Sequence, residues 1–204
     1  MKKIKMIVFD LYGTLIFTKR KTSPYKMFLE AISARNHKEL VNIILCSDFF
    51  KTPEGEIELF NLGNSVDVEK FTTDLRTELE STEPYPESIE LLKELRSLGY
   101  MTGVISNLAT PYKKPFFQLG LDKLIDHSVF SCEVGHIKPH KNIYTVMSKN
   151  SGIALEEMLM IGDSLRCDVA GPKAVGINAI LLDRAGSSKE TNKIKTLDEI
   201  LTIL

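Results

Sequence analysis

The sequence has little net charge, few cysteines and no long apolar run. Its 26 Lys and Arg residues are balanced by 27 Asp and Glu residues, which leaves a formal net charge of −1. Nucleic acid is therefore not an expected partner, because non-specific binding to it depends on a positive surface field. The apolar run that follows the lysines at positions 2, 3 and 5 is short and ends at Asp10. It resembles neither a signal peptide nor a membrane span, so no membrane partner is expected.

Cysteines are too few and too scattered for a disulfide framework or a zinc site. The three of them, Cys46, Cys132 and Cys167, are odd in number and far apart along the chain. This usage is typical of proteins in a reducing compartment, where thiols stay free in or near the core. We expect the protein to be cytoplasmic.

The chain alternates between strand-like and helix-like patterns, and its 204 residues allow one α/β domain with a small insertion. Strands are predicted at Lys5 to Phe9, Met101 to Ile105, about His127 to Phe130, Met158 to Ile161 and Asn178 to Leu182. Helices are predicted at Pro86 to Ser97, Pro111 to Leu119, Lys141 to Ser151 and Cys167 to Ala174. Such alternation requires right-handed crossovers, so the predicted fold class is α/β, with a doubly wound, Rossmann-like parallel sheet.

Residues 17 to 82 break this alternation, because no strand-like run is visible in them. Their apolar residues recur at helical spacing: Tyr25, Phe28, Leu29, Ile32, Leu40, Ile43, Ile44, Val68, Phe71, Leu75 and Leu79. The chain is expected to leave this segment between Ser81 and Pro86, where two prolines in three residues stop a helix. We therefore predict a core domain of residues 1–16 and 83–204, with a small α-helical cap domain of residues 17–82 lying over Asp10.

Asp10 is the leading catalytic candidate. It follows a predicted buried strand in the stretch from Met6 to Ile16, and a glycine turns the chain soon after it. In open parallel sheets ligands bind at the carboxyl ends of the strands, where the loops are free to carry chemistry. Taken alone, an Asp after a strand is more often a turn residue.

Three other predicted strands are followed by polar residues of the kinds that catalysis uses. Ser106 and Asn107 follow one strand, Lys138 comes after the next, and Asp163 and Asp168 follow the fourth. Each has an ordinary alternative, since Ser, Asn and Asp cap helices and turns and a lysine is usually solvated. Their shared position at strand ends favours one convergent polar site.

These segments together resemble the four motifs of the haloacid dehalogenase-like hydrolase superfamily. The matching residues are Asp10-Leu-Tyr-Gly-Thr14, Ser106-Asn107, Lys138-Pro139 and Gly162-Asp163-Ser164 with Asp168. The resemblance implies that Asp10 attacks the substrate and forms a covalent aspartyl intermediate, within a catalytic set that includes Tyr12 and Thr14. It further implies that Ser106, with its neighbour Asn107, and Lys138 hold the transferring group.

The resemblance also implies a magnesium site. Asp10, Asp163 and the backbone carbonyl of Tyr12 are oxygen donors of the kind that Mg²⁺ prefers. Asp168 belongs to the same site and is better suited to orienting Lys138 or a metal-bound water than to direct ligation. The implied activity is hydrolysis of a small phosphorylated metabolite, either a phosphate ester or an acyl phosphate.

Tyr12 departs from the phosphatase pattern of this superfamily. Phosphatases usually carry a second Asp there as general acid and base, and such help is worth roughly 10²- to 10⁴-fold. The Asp-Leu-Tyr-Gly-Thr version is similar to that of the 2-haloacid dehalogenases, whose halide leaving group needs no proton. Tyr144 also resembles a dehalogenase active-site tyrosine, although a buried helix tyrosine is the better explanation.

Three functions therefore remain open from the sequence. Dehalogenases typically lack the acid pair found here as Asp163 and Asp168, and the cap sequence matches none of their substrate residues, which favours a Mg²⁺-dependent phosphatase. The alternatives are a 2-haloacid dehalogenase that acts through an aspartyl ester, and a non-catalytic protein that binds a phospholigand or a partner. The loss of the acid at position 12 is one route to such a binder.

Overall fold

A computed structural model describes residues 3–31, 37–47 and 65–204. Ile32, which belongs to the predicted helical segment, lies outside these ranges. Within them, the chain forms a parallel sheet with helices on both faces and a separate helical segment between the first strand and the rest.

The central sheet has six strands in the described residues, and all neighbouring strands are parallel. They are β1 (Met6–Phe9), β4 (Met101–Ser106), β5 (His127–Phe130), β6 (Met158–Gly162), β7 (Asn178–Leu182) and β8 (Lys193–Ile194), in the spatial order β5-β4-β1-β6-β7-β8. Phe9 in β1 pairs with Val104 on one side and Ile161 on the other. The end of β1 thus lies where the strand order reverses, the position at which doubly wound sheets bind ligands.

The predicted strands are all present, and one strand of the central sheet was not predicted. The residues of β1 are all buried, as a central parallel strand requires. The unpredicted strand β8 is two residues long, which is too short to show a periodic pattern. It extends the sheet beside β7 after the loop that begins near Gly186.

Helices cover both faces of the sheet. The α-helices of this part of the chain are α4 (Ser88–Ser97), α5 (Lys114–Gln118), α6 (Ser131–Val134), α7 (Lys141–Ser151) and α8 (Gly171–Lys173). One apolar cluster packs α4 against β1 through Leu91 and Leu92, and another packs α7 through Ile143 and Met147. The doubly wound α/β class predicted from the sequence is confirmed.

Two predicted helices are less regular than expected. The segment predicted as Pro111 to Leu119 forms a 3₁₀ turn, Thr110–Lys113, before α5. The segment predicted as Cys167 to Ala174 forms a π-helical turn, Leu165–Ala170, before α8. Such π turns are rare and occur frequently at functional sites.

The segment between β1 and α4 is largely helical in its described residues. It contains α1 (Lys26–Ala31), α2 (His37–Cys46) and α3 (Val68–Glu80). Phe28, Leu40 and Phe71 from the three helices belong to one apolar cluster, which Ala109 from the loop after β4 joins. The α-helical character predicted for this segment agrees with the structure.

A two-stranded ribbon stands where the chain enters and leaves the helical segment. Strand β2 (Ile16–Thr18) pairs antiparallel with β3 (Thr82–Pro84), so the expectation of no strand within residues 17–82 is wrong. Each strand is only three residues long, too short to show a periodic pattern. The two strands pair although they lie 64 residues apart in sequence, and the side chains of Thr18 and Thr82 are hydrogen-bonded across the pair. The division into a core and a cap domain stays a prediction, and its boundaries fall inside this ribbon.

Among the described helices, none combines the length and apolar character that crossing a membrane requires. Cys46, Cys132 and Cys167 are free thiols, as expected for the sequence.

Candidate active site

Asp10 lies directly after β1, between the ends of β4 and β6. Its backbone N–H donates to the carbonyl of Ile161 at 2.9 Å, which continues the sheet pairing to the residue itself. The residue is 8% exposed, so its carboxylate is largely shielded from water. A buried carboxylate in this position needs a positive partner.

Gly13 makes the turn after Asp10 possible. Its φ of +86° lies in the left-handed region that side chains rarely adopt. A Cβ atom at this position would also collide with the carboxylate of Asp163. The glycine therefore lets the backbone of the nucleophile loop approach the loop after β6.

Lys138 joins two carboxylates in the centre of the site. Its Nζ lies 2.7 Å from Asp10 Oδ1 and 2.7 Å from Asp168 Oδ1. Burial by itself lowers the pKa of Lys138, but the two carboxylates outweigh it and raise the pKa above its usual value. Lys138 is therefore a fixed, buried cation, and the alternative interpretation as a solvated surface lysine is wrong.

Asn107 holds the backbone of Lys138 from the end of β4. The Asn107 side chain donates to the Lys138 carbonyl at 3.0 Å, and its Oδ1 accepts from the Lys138 N–H at 2.7 Å. Ser106, the last residue of β4, is 2% exposed. Asn107 of the second predicted motif is thus joined to Lys138 of the third by two hydrogen bonds.

Asp168 is oriented by the loop after β6. Its Oδ2 accepts from the backbone N–H of Ser164 at 3.0 Å, while its other oxygen faces Lys138. Burial raises the pKa of Asp168 to about 6, and the nearby Asp10 carboxylate adds to this effect against the opposing Lys138. The fully buried Tyr144 donates to the carbonyl of Cys167 at 2.6 Å, so it supports this same turn.

Asp163 is reached by solvent, yet it lies against the other acids. Desolvation and the Asp10 carboxylate raise the pKa of Asp163. One oxygen each from Asp10, Asp163 and Asp168 can be chosen so that all lie within 4.8 Å of one another. Three carboxylates held this close repel one another, and a divalent cation would offset that repulsion.

This donor set fits Mg²⁺. The ligand atoms are hard carboxylate oxygens, and no soft ligand belongs to the cluster that the described residues form. Mg²⁺ keeps several of its waters and needs few protein ligands, which three acids at one edge of a sheet satisfy.

Tyr12 and Thr14 do not join the charged cluster through their side chains. The Tyr12 hydroxyl donates to the carbonyl of Tyr112 at 3.0 Å, and burial raises the pKa of Tyr12. The buried Thr14 hydroxyl has no hydrogen-bond partner in the described part of the chain. The Tyr12 phenol therefore does not join the charged cluster, and its backbone carbonyl stays a predicted metal ligand.

Sequence reasoning missed two residues that brace this site. Arg184 donates to the Thr14 carbonyl at 3.0 Å and to Glu87 at 2.7 Å, with its guanidinium 3.6 Å from the ring centre of Tyr85. It is the second residue after β7, a strand end that carries none of the four motifs.

Glu78 is the second missed residue. Its carboxylate accepts from the Tyr112 hydroxyl and from the backbone N–H groups of Thr22 and Ser23, each of the latter at 2.7 Å. An acid at helical spacing from the buried Phe71 was the available signal, because an acid on an apolar helix face needs partners.

The geometry at the strand ends agrees with what known proteins show about this chain. The sequence profile of haloacid dehalogenase-like hydrolases matches residues 4–176. The chain belongs to this family of hydrolases, as its four motifs indicated.

Individual relatives include phosphatases. A glyceraldehyde 3-phosphate phosphatase of Methanothermobacter thermautotrophicus is 31% identical over 55% of this chain, which spans 50% of that protein's length. The pyrophosphatase PpaX of Bacillus cereus is 30% identical over 84% of this chain and 80% of its own. Among solved structures, a HAD phosphatase from Thermococcus onnurineus aligns with a TM-score of 0.69 and 25% identity, covering 98% of this chain and 97% of that one.

Proposed function

We propose that this protein is a Mg²⁺-dependent phosphatase that hydrolyses small phosphorylated metabolites through an aspartyl-phosphate intermediate. The observation that carries the proposal is the Lys138 ammonium held 2.7 Å from both Asp10 and Asp168, with Asp163 beside them. A buried carboxylate paired with a fixed cation, with two further acids beside it, suits a nucleophile that attacks a phosphoryl group.

Each residue has a distinct task in this proposal. Asp10 attacks phosphorus with the oxygen that Lys138 does not hold, and the bond from phosphorus to the leaving oxygen breaks. Lys138 keeps Asp10 ionised and oriented and offsets charge on the phosphoryl oxygens. Ser106 and the turn after Asp10 surround the transferring group. Asp10 and Asp163 would hold Mg²⁺, which when bound would offset negative charge on the phosphoryl group.

The leaving oxygen receives no proton from Tyr12 in this arrangement. The Tyr12 hydroxyl donates a hydrogen bond to the carbonyl of Tyr112. Burial raises the pKa of Tyr12, which makes it a weaker acid than a free phenol. The leaving oxygen takes its proton from water, and a second water then cleaves the aspartyl phosphate and returns Asp10. Substrates with good leaving groups suit this chemistry best.

The names of the relatives support the same class of substrate. Glyceraldehyde 3-phosphate is the substrate named for the Methanothermobacter protein, and pyrophosphate for the Bacillus protein. We infer a small phosphorylated metabolite for this chain too. A cytoplasmic location agrees with the free thiols.

A dehalogenase is the second candidate, favoured by Tyr12. It is the weaker one because Asp163 adds a third carboxylate to a site where an incoming haloacid carboxylate would meet further repulsion.

A panel of phosphate esters, acyl phosphates and 2-haloacids, assayed with Mg²⁺ and with EDTA, tests the proposal. We expect phosphate release that needs Mg²⁺ and is lost in Asp10→Asn, because an amide is a poor nucleophile. Exposed Asp122→Asn is the matched control and should keep wild-type turnover. Halide release that ignores EDTA, without phosphate release, would establish the dehalogenase instead.

A further inference from the structure

A cavity of about 310 Å³ adjoins the candidate active site. Tyr12, Asn107 and Tyr112 line one side, and Leu29, Val41 and Ile44 from α1 and α2 line the other. Tyr12 is two residues after Asp10, and Asn107 holds the backbone of Lys138. The cavity wall therefore shares Tyr12 and Asn107 with the candidate active site.

Three polar side chains on the wall, those of Tyr12, Asn107 and Tyr112, are already bonded to protein atoms. Both ends of the Asn107 amide are bonded to the Lys138 backbone, and the Tyr12 hydroxyl donates to the Tyr112 carbonyl. The Tyr112 hydroxyl in turn donates to the carboxylate of Glu78. What faces the cavity is mainly ring and aliphatic carbon.

Charge is absent from the described lining as well, since no Asp, Glu, Lys, Arg or His is among those residues. A polyhydroxylated group placed here would give up water without gaining hydrogen bonds, which is unfavourable. An apolar group would gain from burial.

We propose that the substrate is a phosphate monoester of an apolar, ring-bearing alcohol or phenol, whose ring occupies this cavity. The proposal rests on the phosphatase function above and narrows its substrate class. The size agrees, because an apolar cavity of about 150 Å³ is enough to hold benzene. The Tyr12 hydroxyl, which donates to the Tyr112 carbonyl, cannot protonate the leaving oxygen. This agrees with a phenyl ester as substrate, because a phenolate leaves without needing a proton from the enzyme.

The first test compares two alkyl phosphates whose leaving groups are alike in chemistry and differ in polarity. We expect kcat/KM for benzyl phosphate to exceed that for glycerol 3-phosphate at least tenfold, the scale on which apolar pockets discriminate. Equal values, or a preference for glycerol 3-phosphate, would overturn the proposal while leaving the phosphatase function intact.

The second test fills the cavity. Val41→Phe adds bulk to the wall, so the ratio of kcat/KM for benzyl phosphate to that for acetyl phosphate should fall about tenfold. Leu98→Phe makes a similar change at a residue that is 59% exposed and outside the cavity, and it should leave the ratio unaltered. An unaltered ratio in Val41→Phe would contradict the placement of the ring.

A binding measurement separates failure of the inference from failure of the function. Calorimetry with Mg²⁺ present should show benzylphosphonate, which cannot be hydrolysed, binding at least tenfold more tightly than methylphosphonate. Tighter binding in a protein that hydrolyses no ester would refute the phosphatase and retain an apolar ligand site. Equal binding would refute the site itself.

Discussion

Asn107 and Lys138, 31 residues apart in sequence, are joined by two hydrogen bonds that pair the amide of one with the backbone of the other at 3.0 and 2.7 Å. The contact fixes the start of the Lys138 side chain, whose far end lies between Asp10 and Asp168. We therefore expect Asn107 to act as a positioning residue for the lysine.

Replacement of Asn107 by Ala should lower kcat about 100-fold, because small displacements of a catalytic group cost on this order. The free energy of unfolding should also fall by roughly 1–3 kcal/mol, since the backbone groups of Lys138 lose their partners. Phosphate release and urea unfolding measure the two effects. Asn178→Ala, which removes one long 3.5 Å contact to Glu156, is the control. A kcat within threefold of wild type would show that Lys138 is held by other contacts.

Magnesium should stabilise the protein through the acid cluster. At a free concentration 100 times its Kd, a ligand adds about 2.7 kcal/mol, which corresponds to roughly 5 to 10 °C in Tm for a chain of this size. Asp163→Asn should abolish this increase. Differential scanning fluorimetry with a Mg²⁺ titration measures both, and a Tm that ignores millimolar Mg²⁺ in the wild type would contradict the site.

Without metal, Asp163→Asn should raise Tm. The pKa of Asp163 is higher in the folded protein than in the unfolded chain, so its ionised form destabilises the fold above the unfolded pKa of about 3.9. Removing the charge therefore helps at neutral pH in EDTA. A lower Tm than wild type in EDTA would mean that Asp163 is held by favourable contacts.

Tyr12→Asp should raise turnover on alkyl phosphates more than on phenyl phosphate. The new carboxyl group can protonate an alkoxide, whereas a phenolate gains little from it, and the gain is bounded by roughly 10²- to 10⁴-fold. The ratio of kcat for benzyl phosphate to kcat for phenyl phosphate reports the effect, with Mg²⁺ saturating. Tyr12→Phe removes the hydroxyl without adding an acid and should leave the ratio as it is. A loss of halide release from 2-haloacids without any gain on alkyl phosphates would assign Tyr12 to a dehalogenase.

Asp183 should contribute to the free energy of unfolding at neutral pH, and this contribution should be lost at acidic pH. Lys193 at 2.9 Å, together with the N–H groups of Ser188 and Ser187, holds the pKa of Asp183 below its usual value. Its contribution is complete above the unfolded pKa of about 3.9 and is lost as the pH falls through the lower, folded value. Urea unfolding of wild type and Asp183→Asn should show a constant gap from pH 5 to 7 that narrows below about pH 4. Asp122→Asn controls for the lost charge, and a gap that widens in acid would contradict the assignment.

The sequence by itself determined the class of fold and the list of candidate residues. Continuous apolar runs such as Met6–Phe9 and the helical pattern of Lys141–Ser151 depend on neighbours in sequence, so their structure could be predicted. The motifs that follow the strands identified the family, which the profile match confirms. The paired strands Ile16–Thr18 and Thr82–Pro84 were missed because each is stable only against the other.

Only the tertiary structure decided how the candidates meet. Lys138 reaches Asp10 across 128 residues and Asp168 across 30. The family resemblance implied the contact with Asp168, but no local pattern encodes that one lysine lies between both carboxylates. The same holds for Tyr112, whose hydroxyl reaches Glu78 across 34 residues and leaves its ring to line a cavity. Strand periodicity and helix propensity act over a few residues, whereas these contacts arise when the sheet brings distant strand ends to one edge.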